Sequence, residues 1–116
     1  MTRVFVLLLL IFSSVIFIFS CSKDKGSAGL DCSTVTNKAF AANIDPIIQS
    51  TCNQASCHAA GSINGPGPLT NYNQVFNARN SIRPAIASGL MPQGITLSTA
   101  QKNSILCWID SGAPNN

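Results

Sequence analysis

Residues 52 to 58 read CNQASCH. Cys52 and Cys57 enclose residues 53–56, and His58 follows the second cysteine directly. The chemistry assigned to this stretch decides how the rest of the chain is read. A zinc site needs a tetrahedral set of cysteine and histidine ligands. Cys52, Cys57 and His58 offer part of one, with Cys32 or Cys107 completing it, but there is no second C-x-x-C or H-x-x-H half. A disulfide framework over Cys32, Cys52, Cys57 and Cys107 admits several pairings and gives His58 no role.

Covalent attachment of a haem accounts for both cysteines and the histidine together. Two sulfurs add across the vinyl groups of the ring, and the histidine beside the second cysteine reaches the iron. His58 is the single histidine of the chain, as a dedicated ligand would be. The usual spacing is C-x-x-C-H. Here the bridge is longer, so residues 53–56 are expected to bulge outward while both sulfurs face one ring edge.

The N-terminus sets the compartment. After Met1-Thr2-Arg3 an apolar run extends from Val4 to Phe19, interrupted only by Ser13 and Ser14. A basic residue, an apolar run and a small residue are the layout of an export signal, and the run is shorter than the roughly 20 residues of a membrane-spanning helix. Its end, IFSC, resembles a bacterial lipobox, which implies removal of residues 1–20 and lipidation of Cys21. Residues 21–33, including SKDKGSAGLD, read as a flexible tether, and residues 34–116 as one domain. The expected location is outside the cytoplasm, lipid-anchored to a bacterial membrane.

Composition excludes several functions. Lys and Arg number 7 against 4 acidic residues in the full chain. No basic cluster exceeds the KDK at residues 23–25, so nucleic acid is not an expected partner. There is no glutamate, no Ser/His/Asp set and no paired carboxylate. The Gly/Pro-rich stretch HAAGSINGPGPL at residues 58–69 lacks the Gly-Lys-Ser of a phosphate loop.

Patterning predicts an all-α domain with long loops. TVTNKAFAANI suggests a short helix with Val35, Ala39 and Ala42 on one side. DPIIQSTC starts another, with Asp45 as N-cap and Pro46 in the first turn. NYNQVFNARNSI places Tyr72, Val75, Phe76 and Arg79 at helical spacing. RPAIASGL reads as a separate helix begun by Pro84 and stopped by Gly89, and MPQGITL as extended or turn-like. The final helix has a capping box at Ser98 and Gln101. Its expected core face is Ile105, Trp108 and Ile109, with Cys107 on the opposite side and Gly112 and Pro114 closing it.

From about Phe40 onward the chain resembles a short class I cytochrome c domain of the type found in lipoproteins of the Bacteroidetes. IDPIIQSTCNQASCH, LTNYNQVF, GLMPQG and LSTAQKNSILCWIDSGAPNN carry the resemblance, in that order. It implies one covalently attached haem c, with Cys52 and Cys57 as its thioethers, His58 as proximal iron ligand and Met91 as distal ligand. Met91 stands in a glycine-bounded loop before the closing helix, as distal-ligand loops of that family do. The implied function is single-electron transfer between redox partner proteins, with no enzymatic activity of its own. Cys32 and Cys107 remain outside the haem, and in an oxidising compartment they are expected to form a disulfide. The alternative is a non-redox structural or binding lipoprotein module with a zinc- or disulfide-stabilised core.

Overall fold

A computed structural model describes residues 29–116, so the export signal, the lipidation site Cys21 and most of the tether lie outside the described residues. Three α-helices make up the described chain: α1 (Asp45–Thr51), α2 (Tyr72–Ser88) and α3 (Thr99–Asp110). A π-helical turn, Phe40–Ile44, runs directly into α1. No strand occurs among the described residues, in keeping with the all-α expectation. Nor is any described helix long and apolar enough to cross a membrane.

Helix α3 begins as its sequence prescribes. The Gln101 amide donates to Ser98 Oγ at 3.2 Å, and the Ser98 amide donates to Gln101 Oε1 at 2.9 Å. This reciprocal pair satisfies amides that no helical carbonyl can reach. At the other end, Gly112 (φ 95°) and Ala113 (φ 52°) turn the chain back. Their amides donate to the carbonyls of Ile109 and Trp108. The helix buries more than one stripe, since residues 104–109 are all buried. It lies between α2 and the π-helical turn and forms the middle of the domain.

Trp108 has no solvent exposure, and its indole Nε1 donates to the Pro114 carbonyl at 2.9 Å. Phe40 packs on it with ring centroids 5.4 Å apart and meets Tyr72 edge-on at 4.9 Å. The Tyr72 hydroxyl in turn donates to the Ala113 carbonyl at 2.9 Å. The C-terminal residues thus lie across the aromatic cluster. Asn116 also accepts the Phe40 amide through Oδ1 at 2.9 Å and the Ala41 amide through its carbonyl at 2.8 Å. Those donors open a helical segment and have no intrahelical partner.

Three expected boundaries are corrected. Residues 34–39 are not helical; regular structure starts at Phe40. The Asn43 side chain accepts the Ala39 amide, and the buried face is Phe40, Ile44 and Ile48 instead of Val35, Ala39 and Ala42. Asp45 caps nothing, because the π-helical turn delivers the chain into α1 already helical; its carboxylate accepts from Gln49 Nε2. Pro84 does not start a new helix but lies inside α2. Its ring is exposed, and so is Asn80, whose carbonyl loses the amide that proline lacks, so water can serve that carbonyl. Meanwhile Ile82 and Ile86, on the inner face either side of Pro84, hold the helix together by burial.

The expected disulfide is present. Cys32 and Cys107 are bonded, with Cα atoms 5.4 Å apart, inside the range such a bond needs. Cys107 is nevertheless fully buried, against the expectation of a position away from the core. The incoming segment covers that side of α3. Leu30 packs against the core, and Lys38 Nζ donates to the Cys32 carbonyl at 2.9 Å. Ser33 donates to the Asp31 carboxylate through its amide and hydroxyl, which holds that carboxyl below its ordinary range.

The bond spans 75 residues of sequence, so it restricts the unfolded chain strongly. Cys32→Ser is expected to lower stability by about 2–5 kcal/mol, read as a lower denaturant midpoint with the helical circular dichroism retained. An unchanged midpoint would show that the bond does not restrict the unfolded state.

Candidate functional site

Helix α1 ends where the CNQASCH stretch begins. The amides of Cys52 and Asn53 both donate to the Ile48 carbonyl, at 2.9 and 3.0 Å, and close the helix. The chain then folds over so that the His58 amide reaches the Cys52 carbonyl at 3.1 Å. The long bridge bulges as expected, and its length has a use. Gln54 turns back, and its Nε2 donates to the free Ser50 carbonyl at the end of α1 at 2.9 Å. Ala55 and Ser56 stand exposed at the top of the bulge, while Cys52 and His58 are buried at its base.

The following loop is wrapped around the histidine. Asn64 Nδ2 donates to the carbonyls of Ser56 and Cys57, both at 3.0 Å. The Leu69 amide donates to the His58 carbonyl at 2.8 Å. Gly67, at φ 101°, turns its carbonyl to the imidazole, with Nδ1 at 2.9 Å. A carbonyl oxygen can only accept, so Nδ1 carries the proton and Nε2 keeps its lone pair for a metal. Such a bond to the far nitrogen fixes ring orientation and ligand basicity.

The opposite wall comes from α2 and the loop after it. Gly89 ends α2 in the left-handed region, φ 75°. The Met91 amide then donates back to the Ala85 carbonyl at 3.1 Å, and Lys102 Nζ from α3 takes the Ala87 carbonyl at 2.8 Å. These bonds hold the loop from which Leu90, Met91 and Gln93 join the lining of a cleft of about 630 Å³ that Cys52, Cys57 and His58 also line. Ile48, Leu69, Ile82 and Ile86 make its apolar surfaces. The size falls in the range of roughly 300–1,000 Å³ of small-molecule and cofactor sites.

The four residues expected at the site, Cys52, Cys57, His58 and Met91, therefore line one cleft. Both cysteines are free thiols. Burial pushes the Cys52 thiol above its ordinary value; a hydrogen bond with Thr51 pulls more weakly the other way, and neighbouring Cys57 adds to the rise. Among the described residues no three His, Cys, Asp or Glu side chains converge as a metal-ion set, and Cys32 and Cys107 are bonded to each other. A zinc tetrahedron built on Cys52, Cys57 and His58 thus lacks its closing partners. A covalently attached haem would make a different demand, since the cysteine sulfurs would bond to vinyl carbons while the histidine and methionine would serve the iron. The free thiols, the oriented imidazole and the thioether across an apolar cleft fit that demand.

Sequence reasoning missed the rest of the lining. Reading RPAIASGL as a separate helix puts Ile82 and Ile86 on different elements, whereas α2 carries both on its buried face. The Gly67 carbonyl has no side-chain signature at all. Ser81 and Gln93 also line the cleft, and nothing in their local sequence marks them. No family model, no curated protein and no solved structure matches the chain.

The two thiols differ in burial, Cys52 being 8% exposed and Cys57 more open. In native protein without attached haem, a thiol-alkylating reagent is expected to modify Cys57 first. Cys52 should follow slowly, and faster as pH is raised, because its thiolate is the disfavoured form. Peptide mapping over time reads the order; equal rates would mean that the cleft is not formed without its ligand.

Proposed function

We propose that the protein is a monohaem c-type cytochrome with a class I-like domain, carrying single electrons between redox partner proteins outside the cytoplasm. On this reading Cys21 carries the lipid anchor of the mature chain and residues 22–28 belong to the tether. The observation that supports it most is the shared cleft of Cys52, Cys57, His58 and Met91.

Cys52 and Cys57 would hold the haem as thioethers to its vinyl groups, an addition that consumes no oxidant and releases no leaving group. Burial pushes the Cys52 thiol above its ordinary value and so favours its protonated form. His58 offers Nε2 and is kept from rotating by the Gly67 carbonyl. Met91 offers a thioether from a loop pinned to α2. A haem so held supplies a single reversible iron couple, with a potential raised by the methionine relative to two nitrogen ligands. Ile82, Ile86 and Leu69 exclude water and lower the local dielectric. With His58 and Met91 both engaged, a haem held here would offer no open position to a substrate, and the protein would act as a carrier.

Protein matured in a host with haem-attachment machinery should gain on the order of 600 Da, and the addition should survive denaturation. A polypeptide of haem-free mass would instead favour a structural module that relies on the Cys32–Cys107 bond alone. Met91→Ala should keep the haem attached but lower the reduction potential and admit small ligands to the iron, read by voltammetry and by absorption with added imidazole. Unchanged potential and ligand access would remove Met91 from the iron.

A further inference from the structure

The end of the cysteine bridge has two carbonyls that secondary structure does not serve. Among the described residues neither the Ser56 nor the Cys57 carbonyl receives a backbone amide. Asn64 Nδ2 donates to both, each at 3.0 Å. A carbonyl oxygen only accepts, so Asn64 must turn its NH2 group to them, and that group has a proton for each. The Cys57 carbonyl also accepts the Ser62 hydroxyl, and Ser62 Oγ accepts the Asn64 amide at 3.2 Å. Asn64 is thus fastened to the bridge directly by its side chain and, through Ser62, by its main chain.

The remaining polar group of Asn64 leads to the imidazole. Its main-chain carbonyl accepts the Gly67 amide, and the Gly67 carbonyl accepts the His58 Nδ1 proton at 2.9 Å. Since His58 follows Cys57 directly, these bonds close a ring that runs from Cys57 through His58, Gly67 and Asn64 back to Cys57. In such a ring each member limits the movement of the next. With residues 53–56 between the cysteines, the bridge has more slack than the usual C-x-x-C spacing. The Asn64 amide takes up that slack at the end next to His58.

We infer that Asn64 is a positioning residue, whose side-chain amide fixes the Gly67 loop to the cysteine bridge and so sets the orientation of the His58 imidazole. The positioning is a property of the chain itself, and only its consequence for an iron couple rests on the haem reading above. A firm bond at Nδ1 raises the basicity of Nε2 as a ligand. Loosening that bond makes the imidazole a weaker donor and ferric iron less favoured.

The test uses the mature protein, with its mass read first. His58 is the single histidine, so its Nδ1 proton can be followed by NMR, and its burial slows exchange with water. Asn64→Ala removes the donor, while Asn64→Asp keeps the shape and sets an acceptor against both carbonyls. Each should speed exchange of the Nδ1 proton by about tenfold, the effect of losing one hydrogen bond. Asn71→Ala, which removes the cap of α2, should lower the unfolding midpoint and leave that exchange unchanged. Asn64→Ala, which adds no charge, should also raise the reduction potential. Exchange unchanged in either Asn64 variant, or quickened equally by Asn71→Ala, would overturn the positioning role. An unmoved potential beside quickened exchange would overturn its effect on the iron. A haem-free mass would overturn the haem reading alone, and Nδ1 exchange would still decide the role of Asn64.

Discussion

An indole can leave water only if its N–H finds an acceptor inside, and for Trp108 that acceptor is the carbonyl of Pro114. The requirement ties the last turn of α3 to the C-terminal segment beyond it. Gly112 and Ala113 must reverse direction in the left-handed region to bring Pro114 under the ring. Once there, the reversed chain receives the Tyr72 hydroxyl from α2 and the first amides of the π-helical turn. One buried polar atom thus links the last helix to both others, and the Phe40 and Tyr72 rings fill the space between them.

The cleft depends on that linkage without sharing residues with it. The cleft lies between α1 and α2, elements too sparsely joined to fix their own separation. Helix α3 holds the π-helical turn and α2 from behind, and Lys102 reaches through to the end of α2 just before Met91. His58 and Met91, the side chains proposed to hold a cofactor, stand on two loops with bonds to backbone carbonyls: Gly67 for the imidazole and Ala85 for the Met91 amide. A rigid rear and hydrogen-bonded loops hold the side chains that line the cleft in fixed positions.

The legible parts of the sequence were those whose signal is local. The capping box of α3 depends on Ser98 and Gln101 alone, and the cysteine–histidine stretch on a few adjacent residues. The failures all involve tertiary override. Pro84 looks like a helix start because proline lacks a donor, yet its position on the wet face of α2 makes that defect cheap while Ile82 and Ile86 are buried. Cys107 looks peripheral by helical periodicity, but residues 104–109 of α3 are all buried, so the helix has no peripheral face around it. Residues 34–39 look helical by composition, yet Lys38 and Asn43 commit their side chains to backbone groups near the disulfide. Asn71, which accepts the Gln74 amide at 3.1 Å to open α2, is a cap that composition in that loop conceals.

The Cys32–Cys107 bond also has a mechanical meaning. Residues 33–44 contain no disulfide of their own and hold to the domain by scattered hydrogen bonds and a few apolar side chains, so a force pulling on the chain ahead of them would peel them off one contact at a time. Cys32 intercepts that force. Tension arriving from the N-terminal side passes through a covalent bond into the part of α3 that is buried on every side, and is borne by the whole packed body at once. Peeling gives way to shear, and the cleft, which lies beyond Cys32 along the chain, is outside the path of the load.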